Sequence, residues 1–164
     1  MQVFLIRHAH AVDAADDPVR PLSRRGRDQV RALARLLRPA GVFAPGEIWH
    51  SPLARARETA ALLRQGRGLK AKLVTVAALG TDAGVTVLAK RLGRTRRPLA
   101  LVGHEPYLSA LASLLVTGAA APAVFVLKKC AVLALERTGP GWAVRWQVAP
   151  ELLQPGARRV PRKL

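Results

Sequence analysis

A single cysteine, Cys130, stands in 164 residues, so no intramolecular disulfide can form. The core alone must hold the fold, and a reducing compartment is the expectation. Aromatic residues make up 4% of the chain, too few for the stacking platforms that single-strand nucleic-acid binders use. Zinc-finger, basic-zipper and RNA-recognition motifs are lacking as well. No apolar run approaches the roughly 20 residues that span a bilayer, and charge intervenes at Arg7, before a signal-peptide core could develop. A soluble, cytoplasmic protein is expected, with no membrane partner. Acidic residues are scarce: 10 Asp+Glu face 27 Lys+Arg, a formal charge of +17. Such a balance favours anionic partners, nucleic acid being the first to consider. Without a recognition motif, we read the charge as a field that draws phosphorylated or acidic substrates.

What is present is a substantial apolar fraction. Half of the residues are hydrophobic, which excludes wholesale disorder, and the length suits one domain with a real core. The domain is expected over residues 1–152, followed by a mobile basic tail over 153–164 that carries Arg158, Arg159, Arg162 and Lys163. Val3-Phe4-Leu5-Ile6 reads as a strand buried on both faces, since an exposed strand would alternate. It ends in Arg7-His8. Glu47–His50 and Pro98–Val102 read as further strands, and Leu73–Ala77 as another.

Helical spacing links Val30, Leu33, Ala34 and Leu37, with Ser23 as N-cap and with Pro39 and Gly41 as the stop. The stripe Arg27, Arg31, Arg35 is a solvated face. Ser51-Pro52 reads as N-cap and first helical residue of a second helix that buries Leu53, Ala56, Ala60 and Leu63. A third is expected over Val85–Arg94. A fourth opens at Pro106, turns Leu108, Leu111 and Leu115 inward and closes at Gly118. Cys130–Leu135 and Trp142–Val148 read as a hairpin around Thr138–Gly141, with Trp142, Val144, Trp146 and Val148 alternating and the Trp residues taken as core or sheet-face packing. Cys130 reads as a small packed hydrophobe, and Lys128-Lys129 as a solvated turn. Alternating strands and helices predict an α/β sheet, mainly parallel, with the last hairpin as an antiparallel edge.

Three strand ends then carry related chemistry: Arg7-His8, Arg55 and His104. In an open α/β sheet, ligands bind beyond the carboxyl ends of the strands. Two arginines there can hold the oxygens of a phosphoryl group, while a neutral His attacks phosphorus and a second His stabilises the same oxygens. The sequence Leu5-Ile-Arg7-His8, followed by Arg20-Pro-Leu22 with Gly26, then Ser51-Pro-Leu-x-Arg55-Ala56-x-x-Thr59, then Val102-Gly-His104, resembles the histidine phosphatase superfamily. Chain length and the opening Met-Gln-Val-Phe are similar to its small, SixA-type phosphohistidine phosphatase branch. The resemblance covers residues 1 to about 150 in the expected order.

That resemblance implies a three-layer α/β/α sandwich with a mostly parallel central sheet, the phosphoglycerate mutase-like fold. It implies that His8 is the nucleophile, Arg7, Arg20 and Arg55 the phosphate clamp, and His104 the second catalytic histidine, with no metal and no cofactor. Two departures stand out. Ala9 replaces the usual Gly after Arg-His. No counterpart exists for the inserted segment from which larger members supply a carboxylic acid; Asp16, Asp17 and Glu105 are merely nearby carboxylates. An alkoxide leaves only with a proton, whereas the imidazole of a phosphohistidine leaves more readily. The expected function is therefore hydrolysis of a phosphohistidine protein, such as a histidine-containing phosphotransfer domain or phosphocarrier. Rival readings are a small-molecule phosphomonoesterase or polyphosphate-type hydrolase, and a non-catalytic phosphoprotein or nucleic-acid binder. His8-x-His10 with Asp13 could also hold a metal, although this leaves Arg7, Arg55 and His104 without a role; His10 and His50 otherwise read as supporting or surface residues.

Overall fold

The computed structural model describes residues 1–13, 15, 17–40, 42–79 and 84–153. Six strands form one sheet: β1 (Gln2–Arg7), β2 (Glu47–His50), β3 (Lys72–Thr75), β4 (Leu99–Gly103), β5 (Val132–Thr138) and β6 (Gly141–Val148). Their order is β3-β2-β4-β1-β5-β6. The first four run parallel, whereas β5 pairs antiparallel with β1 and β6 antiparallel with β5. Helices α1 (Arg24–Ala40), α2 (Ala54–Arg67), α3 (Val85–Arg94) and α4 (Tyr107–Thr117) complete the fold.

The apolar run of β1 occupies the sheet interior, between β4 and β5, and its alternate residues enter two separate cores. Phe4 and Ile6 join Val30, Leu33 and Leu37 of α1 and Ala56, Ala60 and Leu63 of α2. Val3 and Leu5 join Leu88 and Leu92 of α3 and Leu108, Leu111 and Ala112 of α4. Helices thus cover both faces, as the three-layer expectation requires. Phe4 lies between Ala100 on β4 and Ala134 on β5. Those two small residues leave room for its ring, which meets the edge of Phe43 at 4.8 Å and Trp146 at 5.9 Å.

Several local expectations are corrected. The first helix runs through Pro39 and ends at Ala40, next to the expected stop at Gly41, which lies outside the described residues, and β3 starts and ends earlier than Leu73–Ala77. Helix α2 begins at Ala54, after Leu53, with no side-chain cap; Ser51 lies outside the helix, and Pro52 is not its first residue. The hairpin strands extend up to the turn, and a register shift between Ala134 and Leu135 breaks the expected alternation. Trp146 and Val148 consequently pack on the α1/α2 core, Trp142 packs on the α3/α4 core, and Val144 is exposed. A bulge inverts the side-chain parity beyond it. The basic tail from 154 onward lies outside the described residues. No helix among the described residues is long and apolar enough to cross a membrane.

Candidate active site

Helix α1, which follows β1, packs on one face of the sheet, and α4, which follows neighbouring β4, packs on the other. The chain therefore departs in opposite directions from two adjacent parallel strands, opening a crevice at their carboxyl ends. His8 and His104 sit in that crevice, their ring centroids 4.9 Å apart. With Arg7, Arg55, Asp17 and Glu105 they line a cavity of about 520 Å³.

His8 is held from several sides. Its backbone N–H donates to Gly103 O (3.0 Å), joining the ends of β1 and β4. Cys130 N–H is shared between the carbonyls of Arg7 and His8 (3.1 and 3.2 Å). Cys130 adopts φ 66° at this point, and burial pushes its thiol up to about 12, so it acts as backbone support with an inert side chain. Nδ1 of His8 lies 2.7 Å from Ala9 O. A carbonyl only accepts, so Nδ1 carries the hydrogen and Nε2 keeps its lone pair. Burial, opposed by that hydrogen bond and reinforced by the charges of His104, Arg55 and Arg7, lowers the His8 pKa to about 3. The ring is neutral at physiological pH. It is a ready nucleophile.

Ala9 fits without distortion. Among the described non-glycine residues only Cys130 has a left-handed φ, and the Ala9 methyl is buried in the α1/α2 core. Its N–H donates to Thr59 Oγ1 (3.1 Å), which donates in turn to Arg55 O (2.7 Å). Thr59 thereby ties the His8 turn to the helix that carries Arg55. Gly26 serves the same turn. A Cβ there would lie 2.0 Å from His10 O, so only glycine lets α1 approach this closely.

His104 places Nε2 2.8 Å from Ser51 Oγ. Burial, followed by the charge of Arg55, lowers its pKa to about 4. Ser51 is fully buried at the end of β2 and also accepts the N–H of Leu53 (3.2 Å). Its role is to orient the second imidazole. A serine–proline pair at a helix start gives no sequence signal for that, because the partner is 53 residues away.

Arg55 enters from the first turn of α2 and is nearly buried. Its guanidinium donates to the Asp17 carbonyl (2.8 Å) and carboxylate (3.0 Å). Arg7 donates through Nη1 to Leu127 O (3.0 Å), while its buried Nε has no protein partner. The expected clamp residue Arg20 is placed differently. It donates to Val12 O, Asp17 Oδ1 and Asp13 Oδ1 at 2.8–3.1 Å and reaches the cavity wall through Asp17. The structure brings Arg7, His8, Arg55 and His104 together directly; Arg20 stands one residue behind them.

His10 turns away from His8. Its Nδ1 pairs with Ser23 Oγ (2.8 Å), and it borders a separate, smaller cavity. His50 is buried and faces the Ser51 carbonyl. Among the described residues, no three His, Cys, Asp or Glu side chains converge as a metal cluster would. Asp13 pairs with Arg20, so the donors of the His8-x-His10 metal reading do not meet.

A strand-end pair of neutral imidazoles flanked by arginines is the constellation of a phosphoryl-transfer site. Residues 3–79 match the model of the histidine phosphatase superfamily (branch 1). The chain belongs to the histidine phosphatase superfamily, and within it to the SixA type. It is 30% identical over 155 residues to phosphohistidine phosphatase SixA of Escherichia coli (strain K12), covering 92% of this chain and 94% of that one. The protein histidine phosphatase SixA complexed with tungstate superposes with a TM-score of 0.83 at 25% identity, over 94% of this chain and all of that one. A putative phosphohistidine phosphatase SixA from Agrobacterium tumefaciens shares the fold, with a TM-score of 0.75 at 24% identity over 91% and 97% of the two chains.

Proposed function

We propose that this protein is a phosphohistidine protein phosphatase that works through a covalent phosphohistidine on His8. The observation that carries this reading is the neutral His8, its Nε2 lone pair free beside His104. Nε2 attacks phosphorus, the imidazole of the substrate leaves, and water then releases phosphate from His8. Arg7 and Arg55 hold the phosphoryl oxygens, and His104, oriented by Ser51, hydrogen-bonds the same group. Arg20 contributes by holding Asp17. None of these steps calls on a metal ion.

The substrate class follows from the leaving group. With its other ring nitrogen protonated, the phosphohistidine of the substrate releases neutral imidazole, whose conjugate acid has a pKa of about 6.5, so the departure needs no acid from the enzyme. The curated relative is named for the same chemistry. A phosphorylated phosphotransfer domain or phosphocarrier protein, presenting an acidic surface, suits a chain of charge +17 through faster association. Residues 1–152 act as the catalytic domain in this reading.

The test is dephosphorylation of a phosphohistidine protein by wild type and His8→Ala, with trapping of phosphoenzyme by rapid acid-free quench. Wild type is expected to form a labelled His8 adduct and to turn over in chelator. His8→Ala should lose turnover by roughly four orders of magnitude or more. Full activity in the variant would refute the reading.

A further inference from the structure

We propose that a second cavity, beside the reaction cavity, is a subsite for a carboxylate side chain of the phosphoprotein substrate, a proposal that rests on the phosphohistidine phosphatase reading above. The second cavity has a volume of about 260 Å³, half that of the first, and the two share Arg7. Its wall also carries His10, Arg25, Lys128, Lys129 and Glu151. Arg25 belongs to the first turn of α1, and His10 to the loop that leaves β1. Lys128 and Lys129 immediately precede Cys130, whose N–H braces the carbonyls of Arg7 and His8. Segments far apart in sequence thus bring their cations to one hollow at the edge of the reaction site.

Few of these charges are neutralised. Lys128 pairs with Glu151, which the 3-10 turn Pro150–Leu153 supplies. Arg7 donates to the Leu127 carbonyl, a neutral acceptor. Arg25 and Lys129 form no ion pair among the described residues. Cations gathered around a concave wall focus a positive potential inside it. His10 reports that field: burial, then the charges of Lys129 and Arg25, lower its pKa against the pull of Asp13. An anion entering the hollow relieves this repulsion.

The class of anion follows from the neighbours. The wall already holds one carboxylate, that of Glu151 on Lys128, and Arg25 and Lys129 remain for another. A guanidinium matches the planar carboxylate with a fork of donors, and an ammonium adds a mobile point charge. The phosphoryl group takes the first cavity, where Arg55 and the two imidazoles converge. A ligand that fills both cavities therefore carries a second negative group on the other side of Arg7. On a protein, the side chains ionised to full negative charge at neutral pH are Asp and Glu. A small phosphate ester leaves the second cavity empty.

The test compares two synthetic peptides that carry the same phosphohistidine, one flanked by glutamates and the other by glutamines, with p-nitrophenyl phosphate as the small substrate. Wild type should favour the glutamate peptide about fivefold or more in kcat/KM, through KM, the scale of partly exposed ion pairs. An Arg25→Gln, Lys129→Gln double variant should erase that preference and leave kcat and the nitrophenyl ester unchanged. An Arg96→Gln, Arg97→Gln variant removes the same charge from a cavity at the amino ends of β2, β3 and β4 and should keep the preference. Equal loss in both double variants would overturn the proposal, because long-range attraction alone would then explain the data. A preference retained by Arg25→Gln, Lys129→Gln would overturn it as well. If that variant also escaped inhibition by pyrophosphate, the cavity would be reassigned to a second phosphate. Calorimetric binding of both peptides to His8→Ala should show the same ratio without turnover. A wild type that forms no phosphoenzyme would thus refute the catalytic reading alone, and equal affinities for the two peptides would refute the subsite.

Discussion

Asp17 divides its carboxylate between two arginines, one of which, Arg55, lines the cavity with His8 and His104. A phosphoryl group must share Arg55 with it or displace it. Asp17→Asn removes the competing charge, and inorganic phosphate or tungstate should bind roughly two- to fivefold more tightly, the scale of a partly exposed ion pair. Isothermal calorimetry reads this directly. Arg55 and Arg20 should separate for the same reason. Arg55→Ala removes a nearly buried donor that the proposed mechanism places on the phosphoryl oxygens, and should cost about 10²–10³ in kcat. Arg20→Ala frees only Asp17 and should cost a few-fold. Equal losses would place Arg20 on the phosphate itself. The pH dependence belongs to His8. In the proposed mechanism its neutral form attacks phosphorus, and with a pKa of about 3 the acid limb of kcat/KM for a pH-insensitive substrate should lie far below the pH 6–7 region of an ordinary histidine.

At the scale of elements, the site depends on how closely α1 and β1 can approach the rest of the fold. Phe4 occupies a slot made by Ala100 and Ala134 and closed by Phe43 and Trp146. Phe4→Ala should cost about 3–5 kcal/mol in urea unfolding. Gly26→Ala has a different signature. The new methyl meets the His10 carbonyl, which is backbone and cannot rotate away. It should destabilise by about 1–3 kcal/mol and also lower activity, because His10 lies two residues past His8. A variant with full activity would show that α1 can retreat freely.

For the whole molecule, two electrostatic effects run in opposite directions. The +17 charge should speed association with an acidic phosphoprotein, so kcat/KM for that substrate should fall steeply with salt while that for a small phosphate ester falls less. The buried imidazoles make the fold sensitive to acid. His8 and His104 have folded-state pKa values of about 3 and about 4, below the unfolded value near 6.5, so the unfolded chain binds more protons between those limits. Their contribution to stability is complete above about pH 6.5 and is lost as pH falls toward 3. Thermal melts should show a drop in Tm across that window, smaller in a His8→Phe, His104→Phe double variant.

The amino-acid sequence by itself determined the layered α/β fold, because apolar runs and helical spacing report burial locally. It also marked the strand ends whose side chains meet in one cavity: Arg7, His8, Arg55 and His104 were legible because each ends or follows a strand or opens a helix. What sequence could not show depends on distant partners. Ser51 read as a helix cap, since nothing local reveals that its hydroxyl meets His104. Arg20 read as a clamp residue, since only the folded loop shows Asp13 and Asp17 absorbing its guanidinium. The alternation of Trp142 and Trp146 was misleading because one extra residue in a strand inverts the facing of all that follows. Glu105 looked like any carboxylate near the site. Tertiary structure alone decided that one of its oxygens is buried without a partner, because burial depends on the distant segments that pack around a side chain.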